Sequence, residues 1–267
     1  MTLIIQKPTG AKLNLAQTYV GIDDPDAAVY VAAVEAADGE ALETATKVAI
    51  HSFVKGCKND GIWPAIKASC ILAGARTLAG ALVPLVGTAP TNVGPFVSGD
   101  YNRKTGLVGD GSTKYLGSNR NYNQFAQNDG HMSVYATTLS RVNNKVLIGG
   151  YEPGGVAIDG VNRISFHLNS PAFVNGVTTA GSTAGLYGVS RSSSANVSRR
   201  YFGISDSQST TSTTPVDQQI GIFVYQPITF GHSSSRLAFY SIGESLNLAL
   251  LDARVTTLIN AFAAAIP

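Results

Sequence analysis

The strongest constraint on the fold comes from short apolar runs between about residues 62 and 242, which turn residues interrupt roughly every ten positions. Some runs alternate apolar and polar side chains, as in Ser133-Val134-Tyr135-Ala136, and this is the pattern of a strand with one buried face. The candidate strands are Ile71–Ala73, Tyr115–Leu116, Met132–Thr137, Lys145–Gly149, Ile164–Leu168, Gly185–Ser190, Gln219–Tyr225 and Leu237–Ile242. Many short strands at this spacing predict a mainly β protein, built as an antiparallel sandwich or jelly roll.

Helices are predicted at both ends of this β-region. Asp24, Pro25 and Asp26 form a capped helix start, and we expect helices over Ala27–Ala37 and Glu40–Lys58. Near the C-terminus, Glu244–Ala264 has the spacing of an amphipathic helix, which we expect to pack on the sandwich or on the first two helices.

These patterns divide the chain into two regions. Residues 1–61 are predicted to be an N-terminal arm and helical attachment region, in which residues 3–15 form either two short strands or an extended arm. Residues 62–267 are predicted to be the sandwich with its C-terminal helix, beginning with a short helical turn that carries Trp63. Residues 176–216 are rich in Ser and Thr but contain apolar pairs, so they predict polar-faced strands with long loops rather than disorder.

The composition excludes several classes of partner. The formal net charge of +2 is too small to indicate a nucleic-acid-binding protein. The sequence contains no continuous run of 18 apolar residues, so we expect no membrane insertion. The first apolar run lacks the length and the preceding basic residues of a secretory signal, so we expect synthesis in a cytoplasm. Charged residues make up only 13% of the chain, which suits a surface buried in an assembly or covered with hydroxyls and amides.

No motif predicts a cofactor or a metal. Cys57 and Cys70 fit no CxxC or zinc spacing, and we expect both to be buried, reduced thiols. The four histidines show no HExxH or HxH spacing, and the chain has no G-x-S-x-G elbow and no Walker loop. The acidic residues of the β-region are scattered and mostly adjoin glycines or turns, which is typical of turn formers rather than of a glycosidase pair.

Five segments, in chain order, resemble elements of a large group of phage and marine-virus structural proteins. Gly61-Ile62-Trp63-Pro64-Ala65-Ile66-Lys67 is similar to a GIW-x-K element, with Ala65 in place of its first lysine. The other four are Leu3–Leu13, which resembles a leader of cyanophage structural proteins, Gly106–Leu116, His131–Thr137 and Ile242–Leu246. The resemblance implies a laminin-G or concanavalin-like, lectin-like sandwich on a phage particle, often in a tail fibre, tail tip or other appendage.

The resemblance sets the functional expectation. We expect a non-enzymatic virion protein that contacts other virion proteins, forms a homo-oligomer with a trimer favoured, and presents its sandwich to neighbouring subunits or to host-surface glycan. A capsid decoration or cement protein is the alternative, and a glycan depolymerase is a weaker one.

Five loop or strand-edge side chains are candidates for glycan or interface contacts, because aromatic rings beside polar groups are used in both kinds of site. They are Tyr101, Arg103, Tyr122, Arg200 and Tyr201. The same residues are also typical of core aromatics at strand ends, and the sequence leaves both interpretations open.

Overall fold

The computed structural model describes residues 23–150, 154–171, 174–178, 184–227 and 229–267. Two antiparallel β-sheets enclose a common core, with helices before and after them. The prediction of a mainly β sandwich with N-terminal helices and a C-terminal helix is therefore confirmed. The predicted arm over residues 3–15 lies outside the described residues.

The helices are α1 (Pro25–Asp38), α2 (Thr44–Asn59), α3 (Leu78–Ala81) and α4 (Leu248–Ala265), with 3-10 turns at Trp63–Ala65, Ser98–Asp100 and Tyr122–Gln124. The strands are β1 (Ile66–Ile71), β2 (Pro84–Val86), β3 (Thr91–Val93), β4 (Tyr101–Asn102), β5 (Gly106–Val108), β6 (Tyr115–Asn121), β7 (Gly130–Thr138), β8 (Lys145–Gly150), β9 (Gly154–Ile158), β10 (Ile164–Leu168), β11 (Val174–Val177), β12 (Gly185–Arg191), β13 (Asn196–Tyr201), β14 (Ile204–Ser209), β15 (Gln219–Ile222) and β16 (Arg236–Gly243).

The two sheets differ in size. Within the described ranges, the larger sheet has nine strands and runs β14-β13-β12-β7-β16-β1-β2, with β5 pairing β16 and β4 pairing β5. The smaller sheet has seven strands and runs β11-β10-β9-β8-β15-β6-β3. The chain crosses repeatedly from one sheet to the other. As a result, strands that are distant in sequence are neighbours in each sheet.

The central strands of the larger sheet are buried on both faces. Along β7, Met132 and Val134 point into the core between the sheets, whereas Tyr135 belongs to a second core that also contains residues of α1, α2 and α4. Ser133 is fully buried. The strand predicted over Met132–Thr137 is confirmed, and both of its faces are buried because the helices cover the second one.

The helices begin where capping groups are available. The Asp24 carboxylate accepts hydrogen bonds from the backbone N–H groups of Asp26 and Ala27, and Gly39 ends α1 with a φ of +70°. α4 begins four residues later than expected, because Asn247 caps it by accepting from two backbone N–H groups of its first turn.

α4 packs on α2 and on β12 and β13 through its apolar face, as predicted. By length and composition alone α4 could cross a membrane, and 39% of it is buried inside the fold. A helix that packs on a protein core can have the same length and composition, so this finding carries no further conclusion.

Local differences from the sequence-based expectations arise at element ends. β1 begins at Ile66 rather than Ile71, and β15 ends at Ile222 because Phe223 adopts a φ of +74°. The Ser-rich region forms β12, β13 and β14, which confirms the prediction of polar-faced strands there. Cys57 and Cys70 are free and buried as expected, and burial raises the pKa of each thiol to about 12.

Candidate glycan-contact groove

Tyr101 and Arg103 join the helical region to the larger sheet. The Tyr101 hydroxyl and the Arg103 Nε both donate to the backbone carbonyl of Ala75, at 2.7 and 2.9 Å. The Arg103 guanidinium also donates two hydrogen bonds to the Glu43 carboxylate, at 3.1 and 2.8 Å, and so holds the pKa of Glu43 at about 2. Glu43 directly precedes α2, so these contacts fix the start of that helix.

Tyr122 is a core residue, so the structure supports the core-aromatic interpretation for it and contradicts its candidacy for a glycan or interface contact. Its side chain is only 1% exposed. Its hydroxyl donates to the carbonyl of Gly154 at 2.5 Å and accepts from the backbone N–H of Gly150 at 2.6 Å. The ring thus packs between the sheets while its polar end satisfies backbone groups of β8 and β9.

Arg200 and Tyr201 are adjacent in β13, so they point to opposite faces of the sheet. Tyr201 is buried, its ring lies 5.7 Å from that of Phe166, and its hydroxyl donates to Asp206. Arg200 lies on the outer face, where its Nε donates to Asp252 of α4 at 2.8 Å and its Nη1 donates to the Ser205 hydroxyl at 2.9 Å. Of the five candidates, Arg200 contacts Ser205, a residue that lines an open surface depression.

That depression is a groove of about 530 Å³ between the β13–β14 hairpin and the first turn of α4. We call it the serine groove, because its floor carries the exposed Ser198, Ser205 and Ser207. Ser198 is paired with Ser207 across the two strands, and Ser205 is paired with Arg200. Asn247, Leu248 and Ala249 form the opposite wall.

The charges around the serine groove are neutralised by local partners. On the inner face, Arg199 donates to both oxygens of Asp206, at 2.8 and 2.5 Å, and this contact lowers the pKa of Asp206 below its usual range. On the outer face, Arg200 is paired with Asp252, which also accepts from the Thr256 hydroxyl. The groove is thus lined by hydroxyl, amide and aliphatic groups and by the Arg199–Asp206 ion pair, whose two charges cancel.

The serine groove offers groups that can bind a sugar. Serine hydroxyls both donate and accept, so a row of them can match the hydroxyls of a neutral sugar. In most glycosidase families, hydrolysis uses a carboxylic acid with a raised pKa opposite a second carboxylate. Asp206 has a lowered pKa and is bound to Arg199, so it does not have the character of that acid.

Two acidic loop residues of the β-region, Asp110 and Asp159, are turn formers. Asp110 accepts hydrogen bonds from the backbone N–H groups of Ser112, Thr113 and Lys114, and Asp159 accepts from those of Val161 and Arg163. These contacts confirm the turn interpretation for these two acids, each of which is followed by a glycine. Among the described residues, no group of three or more His, Cys, Asp or Glu side chains could hold a metal ion.

The histidines have structural contacts. His131 is buried, with Nδ1 2.5 Å from the carbonyl oxygen of Glu244 and Nε2 2.7 Å from the Ser241 hydroxyl, and burial lowers its pKa to about 4. His51 lies in α2 with its Nε2 2.5 Å from Asp23, and His167 contacts the carbonyl of Ser170. Burial also lowers the pKa of His232.

The serines of the groove and the Asn247 cap were not predicted as functional residues from the sequence. The Ser and Thr enrichment of residues 176–216 was the available signal, and the alternation along Asn196–Ser209 could have placed the serines on one face. The serines lie near α4 because β13 packs against that helix, which is more than forty residues away in sequence. A local sequence pattern cannot predict such a contact.

No protein-family model and no curated protein matches this sequence. Solved structures with a partial likeness include a Trypanosoma rangeli sialidase mutant that displays trans-sialidase activity, at 13% identity and a TM-score of 0.49 over 79% of this chain. The binding domain of botulinum neurotoxin serotype D matches at 13% identity and a TM-score of 0.47 over 72% of this chain. The chain spans 39% of that sialidase and 51% of that toxin domain. With TM-scores below 0.5, these likenesses carry no argument about what this chain binds or does.

Proposed function

We propose that this chain is a structural protein of a bacteriophage virion, a subunit of a tail fibre, tail tip or other appendage. It docks through its N-terminal region and presents the sandwich to neighbouring subunits or to host-surface glycan. One observation carries the proposal: three of the segments that resemble phage structural proteins are neighbours in the larger sheet. Residues 61–67 lead into β1, residues 131–137 lie in β7 and residues 242–246 follow from β16, and these strands are adjacent in the order β7-β16-β1.

The contacts among these segments are specific. The backbone N–H of Glu244 donates to the carbonyl of Ala65 at 2.9 Å, and the carbonyl of Glu244 lies 2.5 Å from His131 Nδ1. A Cβ at Gly243 would lie 1.9 Å from the Ala65 carbonyl oxygen, so only glycine fits there. Since the three segments depend on one another in the fold, their joint occurrence supports the resemblance more than separate matches would.

The serine groove is the surface that we assign to glycan contact. It is neutral, lined by hydroxyls and open to solvent, and its nearby carboxylates are held by arginines. These properties favour a neutral, polyhydroxylated ligand and favour adhesion over hydrolysis.

Glycan binding by the purified chain tests this assignment, with a panel of host surface polysaccharides as probes. Replacing both Ser198 and Ser207 by alanine should weaken binding about tenfold, because two hydrogen bonds of about 0.5–1.5 kcal/mol each are lost. The matched control is Ser209→Ala, an exposed serine on β14 that does not line the groove. Equal affinity of the double variant and the control would remove the serine groove from the proposal.

Two further measurements address the rest of the proposal. Native mass spectrometry of the purified chain should give an oligomer, with a trimer expected, and a monomer at all concentrations would count against an appendage subunit. Incubation with the bound polysaccharide should release no reducing ends, whereas their release would establish a depolymerase instead.

A further inference from the structure

β14 lies at one edge of the larger sheet and faces solvent. Within the described ranges its one neighbouring strand is β13. Four of its residues are exposed, and they are Ile204, Ser205, Ser207 and Ser209. An edge strand presents unpaired backbone N–H and C=O groups, to which another strand can bind.

The turn between β13 and β14 shows which backbone groups of β14 are unpaired. β13 ends at Tyr201 and β14 begins at Ile204, and the two residues between them have φ angles of +50° and +75°. This is a two-residue type I′ turn, in which Tyr201 and Ile204 are hydrogen-bonded to each other. Hydrogen-bonded positions alternate along antiparallel strands, so every second residue after Ile204 also points its backbone groups at β13. The backbone N–H of Thr210 continues this pattern, because it donates to the carbonyl of Ala195 at 2.8 Å.

The backbone groups of the three residues in the alternate positions therefore point away from β13. These residues are Ser205, Ser207 and Ser209, and we call this side of β14 the free edge. Within the described part of the chain, their backbone groups on this side have no hydrogen-bond partner. The free edge thus offers three N–H donors and three C=O acceptors in one row.

The other sheet edges of the described chain are protected against pairing, whereas β14 is not. β2 and β3 have three residues each, and β2 begins with a proline. β11 has four residues and pairs with β10 in an irregular register. Short strands, prolines, irregular pairing and lysines are the usual means that prevent strand addition at an edge. β14 has six residues, contains no proline or lysine, and pairs with β13 without a register shift.

The free edge is complementary to itself. If two copies pair antiparallel about a two-fold axis at Ser207, the two Ser207 residues face each other and Ser205 faces Ser209 of the second copy. The three facing pairs exchange about six hydrogen bonds. Asp206 then faces Gln208 of the second copy, and an amide can donate to a carboxylate.

A neighbouring register is less favourable. Moving the axis by one residue to Asp206 would place the two Asp206 carboxylates opposite each other, and like charges in directly opposite positions destabilise a sheet. It would also leave only about four of the hydrogen bonds. The sequence of β14 therefore favours the axis at Ser207.

We propose that β14 pairs antiparallel with β14 of a second copy of this chain, with the two-fold axis at Ser207. The larger sheets of the two copies then form one continuous sheet. The contact can join two chains, or two trimers into a hexamer. It does not depend on glycan binding or on a virion location.

Disulfide trapping of the full-length variant Ser207→Cys tests the contact. The two Cα atoms of a hydrogen-bonded pair lie about 5.5 Å apart, which is within the range of a disulfide. The matched control is Ser198→Cys, an exposed serine that faces Ser207 on β13. Its two copies would be separated by three strand spacings, about 14 Å, which is too far for a disulfide. The native Cys57 and Cys70 are buried, and their pKa values of about 12 keep them from competing for mild oxidants.

We expect Ser207→Cys to form a covalent dimer about tenfold faster than Ser198→Cys, because the contact raises the effective concentration of the two thiols. Non-reducing electrophoresis at timed intervals measures both rates. Equal rates would overturn the proposal.

A proline variant tests whether the backbone makes the contact. Ser207→Pro removes an N–H that points away from β13, and edge strands tolerate proline at such positions. The matched control, Ser207→Ala, keeps this N–H. We expect the proline variant to associate about tenfold more weakly than the alanine variant in sedimentation equilibrium, because two hydrogen bonds across the axis are lost.

Equal association constants for the two variants, with folding verified by circular dichroism, would contradict pairing through the free edge. If Ser207→Pro does not fold, the comparison of the two cysteine variants decides the question by itself.

Discussion

The imidazole Nε2 of His131 lies 2.7 Å from the hydroxyl oxygen of Ser241 on the neighbouring strand of the larger sheet. On the other side of the ring, Nδ1 faces the Glu244 carbonyl at 2.5 Å. A carbonyl can only accept, so Nδ1 carries a hydrogen. Burial lowers the pKa of His131 to about 4, so near pH 7 the ring is neutral and Nε2 accepts from Ser241.

This geometry predicts how stability depends on pH. Burial lowers the pKa of His131 from 6.5 to about 4, so its contribution is complete above about pH 6.5 and is lost as the pH falls towards about 4. The loss is at most about 3 kcal/mol in the free energy of unfolding. Urea unfolding between pH 7 and pH 4 measures it.

The variant His131→Asn provides the comparison, because asparagine keeps an N–H donor and does not titrate. We expect it to be less stable than the wild type at pH 7 and to show a flatter pH profile between 6.5 and 4. If the difference in unfolding free energy between the two proteins is the same at every pH, His131 is not the group that titrates.

The contact between Arg103 and Glu43 is predicted to stabilise the attachment of the helices to the sheet. A double-mutant cycle with Arg103→Gln and Glu43→Gln should give a coupling on the order of 1–2 kcal/mol, since the pair is bidentate and about one quarter exposed. The pKa of Glu43 is lowered from 4.5 to about 2, so the coupling is complete above about pH 4.5 and is lost as the pH falls towards 2. Thermal unfolding at pH 7 checks it, and the neighbouring Lys104→Gln should change stability little.

Arg191 is predicted to be required for the packing of one end of the sandwich. Its side chain is fully buried, and its guanidinium donates to the backbone carbonyls of Leu168, Ser193 and Thr210 in three separate segments. Arg191→Met should lower the free energy of unfolding by about 2–4 kcal/mol, because buried carbonyls lose their donors.

The control for Arg191 is Arg163→Met. Arg163 is 42% exposed and forms an ion pair with Asp159, so its loss should cost less than about 1 kcal/mol. Similar losses for the two variants in chemical denaturation would contradict the structural role of Arg191.

Local patterns predicted the parts of the fold that local interactions determine. The cap at Asp24, the helix that follows it and the strand Ile164–Leu168 were all identified, because capping and alternation act between near neighbours in sequence. The second buried face of β7 was not predicted, since Ser133 and Tyr135 become buried only when α2 and α4 pack on the sheet. The burial of Tyr122 was likewise not decided by its local sequence, since it depends on the packing of the two sheets around its ring.

The candidate site was predictable only in part. Arg200 was singled out as a polar residue beside an aromatic, and it lies at the edge of the serine groove. The groove itself arises where Asn247 at the start of α4 meets the β13–β14 hairpin, two segments far apart in sequence.

The central claim is that this chain is a virion appendage subunit, and its copy number in purified phage particles tests that claim most directly. Quantitative mass spectrometry against a labelled standard of the chain, normalised to the major capsid protein, gives this number. We expect tens of copies or fewer per particle, in a multiple of the oligomer found for the purified chain. Hundreds of copies would instead make it a capsid decoration protein, and its absence from washed particles would contradict a virion role altogether.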